Sequence, residues 1–279
     1  MLRRLAWTAP ARRLLTLPRV ERLVAVPLRG SAVRETGRFV LRELARRRML
    51  ARYHVRESGR PVLVRTGTAD VAVLDDVFYS RHYTLPEPVS AALASLERPP
   101  VALDLGANVG YFGVYFLGLF PEASVVSVEP DAANAAVLRR CVELNHSDSW
   151  TVIEAAAQDR EGTVLLASGR FSTSRVEQDR TGPGTEEVPA VDVFPLLEKT
   201  DLAKVDIEGS EWGILGDARF RDTAPPVVVL EYHEHLCPGP DPKRLAIELL
   251  EQAGFAVAPT FEFDGGQGLV WAWRDSRSP

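Results

Sequence analysis

The run VALDLGANVGYFG, residues 101–113, narrows the choice of fold more than any other stretch of this chain. VALDL reads as a buried strand, LGANVG as a glycine turn, and the apolar residues from Tyr111 onward as a helix. VVSVEPD, residues 125–131, then supplies a second strand that ends on an acid. Strand, glycine turn, helix, strand and acid make up a nucleotide-binding unit, which could serve NAD, FAD or S-adenosylmethionine.

The pattern continues beyond it. DAANAAVLRRCVELN (131–145) has helical spacing, WTVIEAA (150–156) reads as a third strand, DLAKVDIEG (201–209) as a fourth and PVVVLEYH (226–233) as a fifth. Helices are expected at SEWGILGDA and PKRLAIELLEQAG, with a closing strand pair in the last 25 residues. Strands and helices in alternation predict an α/β protein with a parallel sheet covered on both faces. Ligands of such sheets bind beyond the carboxyl ends of the strands, where Asp104, Glu129, Asp206 and His233 fall.

The residues around the turn discriminate among nucleotides. A dinucleotide loop needs a middle glycine for backbone contact with the pyrophosphate, and Asn108 stands there. Asp104, at the mouth of the loop, would repel a pyrophosphate. It suits the ammonium and sulfonium of S-adenosylmethionine. Gly106 and Gly110 let the backbone approach that ligand, and Glu129 is placed for the ribose hydroxyls.

Upstream, residues 1–60 carry sixteen Arg, no Lys and four Glu, a balance of +12 within a chain of net −5. They read as helices broken at Pro10, Pro18 and Pro27, with a helical stretch through RETGRFVLRELARRRMLARYHV. This basic segment is expected to be a solvated helical face, with contact to an anionic membrane surface left open and no nucleic acid expected. PVLVRTGTADVAVLDDVF reads as a strand, a turn at Gly67 and a helix capped near Asp70; HYTLPEP as a loop and SAALASLE as a brief helix. The expected organisation is 1–60 as a helical segment, 61–98 as a lead-in and 99–279 as the nucleotide domain. Two lone cysteines, Cys141 and Cys237, and the lack of a signal-like or membrane-length apolar run lead to an expectation of a cytoplasmic protein.

The chain resembles the FkbM family of S-adenosylmethionine-dependent methyltransferases over roughly residues 63–232. The resemblance is carried by LDLGANVGYFG, VEPDAANAAVLRRCVELN, AAAQDREGTVLL, VPAVDVFPLLEKTDLAKVDIEGSEWGIL and VVVLEYH. It implies a Rossmann-like, seven-stranded class I methyltransferase sheet and, for many relatives, O-methylation of hydroxyls on natural products or sugars. It implies that Asp104, Gly106, Asn108 and Gly110 surround the methionine end of the cofactor, and that Glu129 holds the ribose. Pro130 and Asp131 would shape the adenosine side, Ala157, Gln158 and Asp159 would pass the adenine, and Tyr83 would close over the cofactor.

Methyl transfer to a hydroxyl needs alignment and a proton acceptor. Asp206 and Glu208 in KVDIEG, and His233 in LEYHEH, are the leading candidates, with Glu231 and His235 beside them. His233 has the ordinary pKa best suited to a base. Asp206, Glu208 and His233 could also ligate a divalent cation such as Mg2+ that acidifies the acceptor. Lys204 is expected to pair with a carboxylate, and the polar loop 171–187 could cover the acceptor. The DIEG run is unlike the motif of base-amino methyltransferases, and Cys237-Pro238 reverses the order of a cytosine-C5 nucleophile. An NAD-dependent oxidoreductase and a non-catalytic binding protein are the alternatives from other classes. A methyltransferase acting on a membrane-associated lipid or glycan is a third.

Overall fold

The computed structural model describes residues 25–45, 48–167, 175–177, 185–263 and 266–274. The expectations for Pro10, Pro18 and most of the loop 171–187 lie outside these residues. Residues 25–30 are helical across Pro27, and α1 follows at Thr36–Leu44.

The helix expected to run on through residue 55 stops at Leu44. Leu50–His54 is a strand, β1, paired antiparallel with β2 (Pro61–Arg65). In LARYH the side chains alternate, Ala51 and Tyr53 facing in and Arg52 out, and the partner VLV buries Val62, Leu63 and Val64. That period of two outweighs the arginine-rich helical pattern before it. The boundary expected at residue 60 therefore runs through a hairpin. Asp70 opens α2 (Asp70–Leu74) without capping it. Its buried carboxylate instead takes the Arg65 backbone N–H at 2.8 Å and the Arg65 guanidinium at 2.7 Å. The chain then passes into a π-helical turn, Asp75–Tyr79, and α3 (Glu87–Ala94).

The nucleotide unit is β3 (Val101–Leu105), α4 (Tyr111–Leu119), β4 (Ser124–Val128), α5 (Ala132–Leu144) and β5 (Trp150–Ile153). β5 ends sooner than the sequence pattern suggests, and Ala156–Gln158 (β6) leaves for a second sheet with β7 (Gly162–Ala167), β8 (Arg175–Glu177) and β9 (Thr185–Asp192). After α6 (Phe194–Leu197) come β10 (Leu202–Val205), α7 (Glu211–Gly216), α8 (Ala218–Thr223), β11 (Val227–Tyr232), α9 (Pro242–Gln252), β12 (Ala256–Phe263) and β13 (Gln267–Trp273).

The main sheet has seven strands in the order β12-β13-β11-β10-β3-β4-β5. β4, β3, β10, β11 and β5 run parallel. β13 lies antiparallel between β11 and β12. A dinucleotide-binding sheet keeps all its strands parallel in the order 3-2-1-4-5-6; an inserted reversed strand is a class I methyltransferase sheet. The central strands are buried on both faces, as in VVVL of β11. One hydrophobic core joins Val26, Phe39, Tyr53 and Leu74 to Val114, Phe116 and Leu138, so the N-terminal elements pack on the sheet. No helix among the described residues is long and apolar enough to cross a membrane.

Candidate active site

β3 and β4 end at the switch point of the sheet, and the loop between β3 and α4 turns there through Gly106 at φ 76° and Asn108 at φ 51°. Asparagine tolerates this left-handed conformation better than other non-glycine residues. A Cβ on Gly106 would stand 1.8 Å from the Asp206 carbonyl oxygen. On Gly110, itself at φ 89°, a Cβ would stand 2.5 Å from Leu138 Cδ1 and 3.2 Å from Trp150. Both glycines are thus accounted for by chain packing against chain. This corrects the expectation that Gly110 borders the ligand, because it is buried under α5 and away from the cavity. Gly106→Ala is expected to lower the melting temperature by on the order of 10 °C, followed by circular dichroism; a shift of only a few degrees would contradict the close approach.

A cavity of about 360 Å³ opens over the carboxyl ends of the strands. Gly106, Asn108, Glu129, Pro130 and Ala157 line one end; Asp206, Glu208 and Glu231 line the other. Tyr83, Val77 and Asp76 come from the lead-in, and Phe263 and Gln267 from the β12–β13 hairpin. Tyr83 is buried edge-on against Phe112, with its hydroxyl donating to Glu231 Oε2 at 3.3 Å.

Glu129 is 4 % exposed. It accepts the Asn108 N–H at 2.7 Å, the Asp131 N–H at 3.0 Å and the Asn134 amide at 3.3 Å. Burial pushes its carboxyl up to about 7 against the pull of those donors. Asp131 does not face the cavity. Its side chain caps α5 by accepting from the Ala133 and Asn134 N–H groups at 2.9 and 3.0 Å. Gln158 donates to Ser210 at 3.0 Å and Asp159 pairs with Arg160; neither lines the cavity.

Asp104 is fully buried and lies beneath the cavity, behind Lys204. Lys204 Nζ stands 3.2 Å from Asp104 Oδ1, 3.3 Å from Asp206 Oδ2 and 3.0 Å from the Gly106 carbonyl. The ammonium that the charge argument assigned to a bound ligand is therefore supplied to Asp104 by the protein itself. The reason is register: Lys204 and Asp104 are direct partners on adjacent parallel strands. The expected pairing of Lys204 with a carboxylate is present twice over. Burial raises the Asp104 pKa, with Lys204 acting against it.

His233 is 2 % exposed. Its Nδ1 lies 2.9 Å from Glu211 Oε1, and Glu211, fully buried, also accepts the His233 and Gly209 backbone N–H groups at 2.8 and 2.7 Å. Burial works to lower the His233 pKa. The Glu211 bond and the charges of Asp206 and Glu208 outweigh it and carry the ring up to about 10. The Glu211 bond and the neighbouring acids favour the protonated ring, and with Nδ1 engaged only Nε2 faces the acids, which weighs against His233 as the general base. The same environment pushes Glu231 up to about 8, chiefly by burial and then by Asp206. Burial and neighbouring Asp75 bring Asp76 to about 6.

Asp206, Glu208 and His233 do converge, with one ligand atom from each within 4.8 Å of the others. Asp76 and Glu211 were not singled out from sequence. Glu211 was legible as the third acid of DIEGSE. Asp76 sits in LDDVF with no local signal, because the π-helical turn and the far wall together bring it to the cavity.

The sheet order is that of a class I methyltransferase. Residues 104–257 match the methyltransferase FkbM domain, and the chain belongs to that family. It is similar to Methyltransferase 1 of Beauveria bassiana, 27 % identical over 185 residues that cover 56 % of this chain and 72 % of the relative. It is also similar to 2-O-methyltransferase NoeI of Sinorhizobium fredii, 28 % identical over 180 residues covering 56 % and 73 %. Among solved structures it is similar to magnesium protoporphyrin IX methyltransferase of Synechocystis, at TM-score 0.44 and 13 % identity over 73 % of this chain and 84 % of that one.

Proposed function

We propose that this chain transfers a methyl group from S-adenosylmethionine to a hydroxyl of a small molecule, a natural product or a sugar. The observation carrying this reading is a single cavity with Glu129 at the loop end and Asp206, Glu208 and Glu231 at the other, in a methyltransferase family member. In this reading Glu129 accepts the ribose hydroxyls, the loop carrying Gly106 and Asn108 borders the methionine end, and Tyr83 closes the lid side. Pro130 and Ala157 border the adenine. The name of the 2-O-methyltransferase relative supports an oxygen acceptor.

S-adenosylmethionine, when bound, would supply an activated methyl group to the acceptor oxygen and leave as S-adenosylhomocysteine, and the hydroxyl proton would pass to a carboxylate of this chain. Glu231 is that base: it faces the cavity, its Oε2 is held by Tyr83, and its pKa near 8 suits proton transfer near neutrality. A base works deprotonated, so turnover is expected to rise with pH through about 8. Glu231→Gln is expected to lower turnover by roughly 10²- to 10⁴-fold and to abolish that pH limb. An unchanged pH–rate profile in the variant would remove Glu231 from the role.

Calorimetric titration with S-adenosylhomocysteine, and with NAD as the contrast, tests the cofactor. Binding of the first alone is expected. Binding of NAD alone would overturn the reading.

A further inference from the structure

We propose that Asp206, Glu208 and His233 form a divalent-cation site at the edge of the cavity, which Asp206 and Glu208 line. The role of this site rests on the methyltransferase reading, but its existence does not.

His233 is held at two points. Its backbone N–H and Nδ1 both engage one oxygen of the buried Glu211. That contact fixes the plane of the ring and presents Nε2 to the acids, the arrangement that outer carboxylates impose on metal-binding imidazoles. The side chain is buried, and the carboxylate oxygens nearest Nε2 are Asp206 Oδ1 at 3.8 Å, Glu208 Oε2 at 3.8 Å and Glu231 Oε1 at 3.9 Å. These separations are too long for hydrogen bonds. They fall between the two separations found around an ion: at about 2.1 Å from an octahedral cation, adjacent ligand atoms are about 3.0 Å apart and opposite ones about 4.2 Å. Small side-chain rotations close the set.

Two further features aim it. Glu208 adopts φ 53°, a left-handed conformation costly for a non-glycine residue, and strain of this kind is kept where it orients a functional group. Gly209 beside it, at φ 109°, has no room for a Cβ, which would meet the His235 carbonyl at 2.7 Å. Asp206 divides its carboxylate: Oδ2 is engaged by Lys204 at 3.3 Å, and Oδ1 is turned to His233.

Two carboxylates and one imidazole, without thiolate, make a hard to borderline set that accepts Mn2+, and the carboxylates also suit Mg2+. As the ion binds, the Nε2 proton is released to solvent, and open positions remain for the acceptor. It would bind the acceptor oxygen and lower its pKa, so that the proton leaves more easily for the base.

The full chain, stripped with EDTA and dialysed, is titrated with MnCl2 while free Mn2+ is followed by electron paramagnetic resonance, with MgCl2 as competitor. One Mn2+ per chain is expected. Glu208→Gln is expected to weaken binding at least about tenfold, with affinity for S-adenosylhomocysteine kept within about twofold. Glu211→Gln, which removes no ligand, is expected to weaken Mn2+ by roughly 10- to 100-fold. Thermal melts confirm that each variant is folded, and Glu208→Asp takes the place of Glu208→Gln if the latter is not. Absence of Mn2+ binding at millimolar concentration, in protein that binds S-adenosylhomocysteine, would sink the cation site and leave the methyltransferase reading standing. Binding unchanged in the Glu208 variant would likewise overturn it. Glu208-dependent Mn2+ binding in protein that ignores S-adenosylhomocysteine would support the site and overturn the cofactor reading.

Discussion

Lys204→Met is expected to destabilise the protein by about 3–5 kcal/mol at pH 8, the range for breaking a buried ion pair by removing one partner. Lys204 serves Asp104 and Asp206 together, and no other cation lies near Asp104 among the described residues. The deficit should depend on pH in a definite sense. Burial already holds the Asp104 pKa above the ordinary carboxylate value, and loss of the ammonium raises it further. A carboxyl with a raised folded-state pKa holds its proton longer in the folded chain, so the stability lost grows as pH rises. The variant should therefore lie closer to the parent at pH 5 than at pH 8 in urea titrations. Asp104→Asn in the Lys204→Met background should recover part of the loss. Strict additivity of the two substitutions would mean that the pair is not coupled.

Glu129→Ala is expected to weaken S-adenosylhomocysteine binding by about 1–3 kcal/mol, roughly 5- to 150-fold, as for loss of a charged hydrogen-bonding partner. The parent should bind more weakly as pH falls below about 7, where Glu129 takes up its proton. The slope should approach about tenfold per pH unit and flatten above that value. Ribose hydroxyls donate best to the ionised carboxylate, which sets the sign. In the Glu129→Ala protein this dependence should vanish. Calorimetry at pH 5.5 and pH 8 makes the comparison, and equal affinity of parent and variant would place the ribose elsewhere.

The two predictions draw on information of different kinds. Glu129 was legible because the end of a second strand after a glycine turn is a local feature: the period of VVSV and the acid after it lie within one short stretch. The same holds for the glycine loop, the α/β alternation and the position of Asp206 and Glu208 after a buried strand. The helix mistaken to continue through residue 55 shows the limit of local reading. Arginines and leucines in RELARRRML favour a helix, yet ARYHV pairs with PVLVR, and the pairing partner lies beyond the turn.

Short-range pattern alone predicts a nucleotide-binding α/β sheet with Glu129, Asp206, Glu208 and His233 at the carboxyl ends of its strands. Those features follow from hydrophobic period and turn chemistry, which act over a few residues. Only the tertiary structure decided how the charges pair. Asp104 faces Lys204 because β3 and β10 stand in direct register across 100 residues of sequence. The His233 ring is oriented through Nδ1 because Glu211 of α7 reaches it from another element. Asp76 joins the cavity because a π-helical turn from the lead-in lies over the sheet. Ion pairing and desolvation depend on distance and burial, and spacing along the chain fixes neither.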